Sequence, residues 1–205
     1  MNIAFIGCGK LGMPCAEEIV KAGHSVTGYD PACINRDGSF FNPNGLVDLK
    51  HTIAEAVKFA KIVFVAVPTP HDPSYDGRAP TAHLEPRDFS YDIVKDVLRE
   101  CDSVMNPAQM VVLISTVLPG TVRRELEPLV TNTRFVYNPY LIAMGSVAWD
   151  FVNPEMVMIG TKDGDESGDA QELINLYKTV IENDPRYVVG TWDECECIKV
   201  FYNTF

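Results

Sequence analysis

An apolar run, Met1 to Ile6, passes directly into Gly7-Cys8-Gly9-Lys10-Leu11-Gly12 and then into an amphipathic stretch. That order of strand, glycine turn and helix leaves few folds open. Gly7 permits a tight turn out of the strand, Gly9 lets the backbone approach a pyrophosphate, and Gly12 lets helix and strand pack closely. The helix start then offers free N–H groups and the positive end of its dipole to phosphate oxygens. A second apolar run, Ser25 to Tyr29, ends in Asp30, eighteen residues after Gly12. A carboxylate there accepts hydrogen bonds from adenosine ribose hydroxyls and repels a 2′-phosphate, so NAD is expected rather than NADP. Gly7, Gly9, Lys10, Leu11, Gly12 and Asp30 are therefore candidate cofactor-binding residues. The plainer reading is a glycine turn without a ligand and a turn acid ahead of Pro31.

Residues Leu11 to Ala22 put Leu11, Cys15, Ile19 and Ala22 on one face, predicting a helix that stops at Lys21-Ala22-Gly23. Pro31 to Lys50 is rich in Asn, Gly and Pro and reads as loop. Thr52 to Phe59 reads as a helix with a capping box, Thr52 and Glu55. Lys61 to Val67 is apolar on both faces, as suits a parallel strand covered on both sides. It ends in Val67-Pro68-Thr69-Pro70 and a long polar loop, His71 to Arg87, on the side where ligands bind in open α/β sheets. A helix is expected over Asp88 to Glu100 and a strand over Met110 to Ile114. Ser115 to Thr121 then leads into a helix whose start is open to an anion. Strands at Arg134–Tyr137, Met156–Ile159 and Arg186–Val189, a helix at Gln171–Glu182 and a last helix from Asp193 complete the alternation. The expected fold class is α/β, a doubly wound, mostly parallel sheet of Rossmann type, followed by the start of a long C-terminal connecting helix.

The 205 residues suffice for one well-cored domain, expected at 1–190, with 191–205 as the connecting helix. A net charge of −11, with Lys and Arg scattered, argues against a nucleic-acid partner. No apolar run reaches membrane-spanning length, so no membrane partner is expected. Met1 leads straight into the first strand without a signal-peptide pattern, and the expected location is cytoplasmic. Cys8, Cys15, Cys33, Cys101, Cys195 and Cys197 form neither a CxxC pair nor a zinc spacing, so no disulfide and no metal is expected.

Several motifs together resemble the NAD-binding domain of the UDP-glucose/GDP-mannose (nucleotide-sugar) 6-dehydrogenases. They are the glycine turn, Asp30, Val67-Pro68-Thr69-Pro70 with Asp88-Phe89-Ser90-Tyr91, and Ser115-Thr116-Val117. Asp150-Phe151-Val152-Asn153-Pro154-Glu155 and Glu196-Cys197-Ile198-Lys199 with Asn203 complete the set, so the likeness covers nearly the whole chain. The resemblance implies oxidation of a sugar C6 alcohol with hydride transfer to NAD. It implies that Thr116, Lys199 and Asn203 are catalytic, Thr116 and Lys199 holding water and stabilising developing oxyanion character and Asn203 orienting the same site. Pro68 and Thr69 would line the nicotinamide pocket, Val67, Ser115 and Thr116 would also be cofactor-binding, and a nucleotide sugar would be the substrate.

Two departures bear on activity. The family's nucleophilic cysteine lies in a C-terminal domain that this sequence does not contain, and Asn138-Pro139 is followed by Tyr140 where the family has a Glu used in thioester turnover. The chain is thus expected to be catalytically incomplete, acting as a homodimer or with a partner chain that supplies the missing domain. Two other readings stay open: a non-catalytic NAD-binding or oligomerisation module, with Val200, Phe201 and Phe205 seeking burial, and a relative of the β-hydroxyacid dehydrogenases.

Overall fold

The computed structural model describes residues 1–204, and the side chains of residues 1–202. Expectations resting on the Asn203 side chain and on Phe205 lie outside the described residues. The chain runs β1 (Asn2–Ile6), α1 (Gly12–Lys21), β2 (Ser25–Tyr29), β3 (Asp48–Leu49), α2 (Ile53–Val57) and β4 (Ile62–Val65). It continues through α3 (Asp92–Val104), β5 (Met110–Leu113), β6 (Arg134–Tyr137), α4 (Val147–Val152), β7 (Met156–Thr161), α5 (Gly168–Tyr177), β8 (Arg186–Thr191) and α6 (Trp192–Thr204).

These strands form one sheet in the order β3-β2-β1-β4-β5-β6-β7-β8. Neighbours are parallel except β6 and β7, which meet antiparallel at Tyr137 and Gly160. The strand period of two sorts the apolar residues into two cores. Ile3, Phe5, Phe64, Val112 and Val136 face Cys15 and Ile19 of α1 and Leu173 and Tyr177 of α5. Ala4, Ile6, Val63, Val111 and Leu113 face Ile53 of α2, Val94 and Leu98 of α3, and Trp192 and Cys195 of α6. The sheet is covered on both faces, as its continuous apolar strands require. Because β1, β4, β5 and β6 are parallel, the loops after them lie at one carboxyl edge, and the strand order reverses between β1 and β4.

Local chemistry moves several boundaries. Asp88 spends its carboxylate on Phe89 N at 2.7 Å and on the Tyr91 hydroxyl, so the residues expected to open a helix at Asp88 stay irregular and α3 starts at Asp92. Thr52 Oγ1 accepts from Glu55 N at 3.2 Å, while the Glu55 carboxylate reaches His51 N at 3.1 Å, one residue earlier than a capping box predicts. The segment read as loop between Asp30 and Thr52 contains a 3₁₀ turn, Pro31–Cys33, and the edge strand β3, which pairs with Thr27 and Gly28. After Gly120 the expected α-helix is a π-helical turn, Val122–Leu126, followed by a 3₁₀ turn, Glu127–Leu129. Pro128 has no N–H to continue the helical ladder there.

Candidate functional site

The sheet's hydrogen bonding continues past the strand ends, in register. Gly7 N donates to Tyr29 O at 2.9 Å, Ala66 N to Ile6 O at 2.8 Å, Ile114 N to Val65 O at 2.9 Å and Asn138 N to Leu113 O at 2.8 Å. Four segments thus leave the same edge side by side, and the residues singled out in the sequence lie along them in strand order.

The three motif glycines do different work. Gly7 has φ +95°, and a Cβ there would stand 2.4 Å from Ala66 O. A Cβ on Gly12 would stand 1.9 Å from Gly7 O, so that position closes the turn against the helix. Gly9 is exposed, and the nearest atom to a Cβ on it would be Asp30 Oδ2 at 3.9 Å. Nothing within the chain requires a glycine at that point; what the missing side chain leaves is room on the outer surface beside a carboxylate. The first bond of the turn runs from Met13 N to Gly9 O at 3.1 Å, so the amides of Lys10, Leu11 and Gly12 precede it, and Leu11 gives no side-chain cap. Asp30 stands at the end of β2, its Oδ1 accepting from Ala32 N at 2.8 Å and its Oδ2 directed toward Gly9. Uncapped amides, open space over Gly9 and a rim carboxylate fit the pyrophosphate and ribose of a dinucleotide.

Cys8, between the glycines, points inward. Its thiol is pushed up to about 12, chiefly by burial, and lies 3.6 Å from Phe5 O. A Cβ on Gly28 would stand 2.7 Å from Cys8 Sγ and 2.9 Å from Leu49 Cδ2, so β2 carries a glycine required by the turn after β1 and by β3, which no local pattern reveals.

Next along the edge, two hydroxyls tie the loops after β4 and β5. Ser115 Oγ donates to Val67 O at 2.6 Å, and Thr69 Oγ1 donates to Thr116 O at 2.9 Å. Both protons are spent within the protein, so these hydroxyls face a ligand only as acceptors. Val67, Thr69 and Thr116 are half-buried and Pro68 is exposed.

Lys199 comes to this edge from α6. It is 7% exposed, and its Nζ donates to Tyr140 O at 2.7 Å. Burial holds its ammonium below the ordinary lysine range. Glu196, one turn earlier, is fully buried, and its two oxygens accept from Gly120 N at 2.6 Å and Val122 N at 2.7 Å. The turn expected to be open to an outside anion is thus filled by the chain's own carboxylate. In the sequence Glu196 stands only as part of the Glu196-Cys197-Ile198-Lys199 motif, with nothing to mark it as buried. Tyr91 was likewise missed: its hydroxyl accepts from Leu118 N at 3.1 Å and holds the same segment from α3's side.

Tyr140 turns its phenol into the protein. The hydroxyl lies 3.0 Å from that of Tyr177, which also bonds Asn138 Oδ1, and burial raises the Tyr140 phenol well above its ordinary value. Among the described residues no cluster of three or more His, Cys, Asp or Glu is placed to hold a metal ion, and no helix is long and apolar enough to cross a membrane.

Comparison with known proteins matches residues 43–181 to the NAD binding domain of the UDP-glucose/GDP-mannose dehydrogenase family. Residues 2–75 match the NAD binding domain of 6-phosphogluconate dehydrogenase. The uncharacterized protein MJ1054 of Methanocaldococcus jannaschii is 28% identical over 221 residues, an alignment covering 100% of this chain and 24% of that protein. The UDP-glucose 6-dehydrogenase of Rickettsia prowazekii is 24% identical over 100% of this chain and 48% of its own length. The structure of a UDP-glucose dehydrogenase from Pyrobaculum islandicum superposes with a TM-score of 0.74 at 26% identity, over 100% of this chain and 49% of that one. The chain spans about half the length of these dehydrogenases.

Proposed function

The chain belongs to the UDP-glucose/GDP-mannose dehydrogenase family, as its NAD-binding domain, and from that premise we propose that its carboxyl edge carries the hydride-transfer half of a nucleotide-sugar 6-dehydrogenase. The observation that carries this reading is the shared edge: the open glycine ledge, the Thr116 loop and the Lys199 amine follow one another along β1, β4, β5 and β6.

In this reading Gly7, Gly9, Lys10, Leu11 and Gly12 receive the pyrophosphate and Asp30 the adenosine ribose. Val67, Pro68, Thr69, Ser115 and Thr116 flank the nicotinamide, which when bound supplies the hydride acceptor. Thr116 donates a hydrogen bond to the substrate's C6 oxygen, and Lys199, with Asn203 one turn on, stabilises the charge that builds there. Burial that holds this amine below its ordinary range makes giving up a proton less costly than for a solvated lysine. Residues 1–190 form the cofactor domain in this account and 191–205 the start of the connection to a sugar-nucleotide domain. A homodimer or a partner chain would supply the rest of the pocket. Tyr140, with its phenol turned onto Tyr177, contributes no carboxylate, so this edge is assigned the alcohol-to-aldehyde step and not thioester turnover.

The test mixes the purified chain with NAD and, separately, UDP-glucose, GDP-mannose and a small hydroxy acid, and follows NADH absorbance beside a direct measurement of NAD binding. NADH formed with a nucleotide sugar, and lost in Lys199→Ala, is the expected result. NAD binding without turnover of any nucleotide sugar would overturn the catalytic part. It would leave a cofactor-binding module, a reading favoured by the exposure of Phe201 and Tyr202 on α6. Turnover of the hydroxy acid instead would move the chain toward the β-hydroxyacid dehydrogenases.

A further inference from the structure

The segment after β5 is fastened by side chains from three other elements. Thr69, after β4, bonds Thr116 O; Tyr91, ahead of α3, bonds Leu118 N; and Glu196 of α6 bonds Gly120 N and Val122 N. The last of these is unlike the others. It is a fully buried carboxylate with both oxygens on backbone amides, at 2.6 and 2.7 Å. Such charge-assisted bonds are roughly twice as strong as neutral ones, and they must offset the cost of taking a carboxylate out of water. A leucine at this position would avoid that cost but leave the Gly120 and Val122 amides without this acceptor; satisfying them ties α6 to the segment after β5, and that tie has a consequence beyond packing.

The consequence falls on Lys199. It lies three residues after Glu196, on the adjoining face of the helix, so fixing the rotation of α6 at Glu196 also fixes where Lys199 points. Two further side-chain ties of α6 are open to solvent, Asp193 with Arg123 at 2.8 Å and the Tyr202 hydroxyl with Glu155 at 3.0 Å, while Trp192 and Cys195 pack its first turn into the core. We propose that Glu196 is a positioning residue, whose carboxylate clasps Gly120 N and Val122 N and thereby holds Lys199 Nζ against Tyr140 O. The proposal rests on the reading of Lys199 as a site residue. Because Gly120 follows Thr116 by four residues, the same clasp sets the spacing between the Thr116 loop and the Lys199 amine.

Glu196→Gln keeps the shape but offers one carbonyl oxygen, so its NH₂ group faces one of the two amides. Glu196→Asp keeps the charge and falls one methylene short. The test is trace acetylation of the folded protein across a range of pH, read at Lys199 by mass spectrometry, with hydrogen exchange at Gly120 and Val122 as the report on the clasp. In Glu196→Gln, Lys199 is expected to label several-fold faster and to titrate closer to an ordinary lysine, while both amides lose protection; Glu196→Asp restores part of each. A folded variant in which the amides lose protection but Lys199 labels and titrates as in the wild type would overturn the proposal. Should Glu196→Gln fail to fold, Glu196→Asp carries the same comparison. NAD binding measured in parallel reports separately on the cofactor reading, because loss of NAD binding by the wild-type chain leaves the labelling result intact.

Discussion

Gly9 and Gly12 belong to one motif, yet the chain needs them for different reasons. A methyl on Gly12 meets Gly7 O at 1.9 Å, a backbone atom that can move only by opening the turn. Gly12→Ala is therefore expected to cost about 2–3 kcal/mol or more, a Tm lower by roughly 5–10 °C in a chain of this size. A methyl on Gly9 meets nothing closer than 3.9 Å, so Gly9→Ala should unfold at the wild-type temperature while binding NAD roughly tenfold more weakly, the effect of a methyl on the ledge a pyrophosphate must approach. Thermal melts beside NAD titrations of the two variants check both halves, and a Gly9→Ala protein with unchanged affinity would contradict the assignment. The turn and packing roles of Gly7 and Gly12 were legible in sequence because they follow from a fixed spacing. The need for Gly28 was not, since it arises from Cys8 Sγ and Leu49 Cδ2, each about twenty positions away in the chain. Glu196 was illegible for a related reason. Its burial depends on where α6 lands, and Glu and Lys three apart on a helix look the same in sequence whether they pair in solvent or divide between two backbone partners.

Elements with strong periodicity or long apolar runs appear where the sequence puts them: β1, α1, β2, β4, β5 and β6 all fall within the expected spans. Those set by contacts do not. The two-residue strand β3 exists because β2 offers a pairing edge to Asp48 and Leu49, and α3 slides by four residues because Asp88 prefers the Tyr91 hydroxyl to a helix start. The π-helical turn after Gly120 is secured on its outer side by Lys95 of α3, whose Nζ lies 2.7 Å from Glu125. The Lys95 ammonium first, and Arg124 second, hold the Glu125 carboxyl below the ordinary carboxylate range. With the folded value depressed, the unfolded chain binds the extra proton first. The pair's contribution is therefore present above the unfolded pKa and is lost as pH falls through the folded one. Lys95→Met is expected to cost about 0.5–1 kcal/mol at neutral pH, shrinking toward zero as Glu125 is protonated. Urea unfolding of both proteins at several pH values measures it, and a cost that grew with acidity would reverse the sign assigned here.

At the scale of the whole molecule, the alternation of strands and helices was enough to give a doubly wound sheet, because strands apolar on both faces require helices above and below. Alternation does not give strand direction, so the antiparallel meeting of β6 and β7, joined through α4 without a full crossover, came only with the structure. The consequence that matters is the gathering of the glycine ledge, the Thr116 loop and Lys199 at one edge, while Ser25, Lys61 and Met110 enter their strands at the opposite one. The most direct test of that arrangement is a titration of the isotopically labelled chain with NAD, followed amide by amide by NMR. Shifts are expected to concentrate at Gly7 to Gly12, Asp30, Val67, Thr69, Ser115 and Thr116, with Ser25, Lys61 and Met110 unmoved. Shifts centred on those last residues, or none at saturating NAD, would contradict that arrangement.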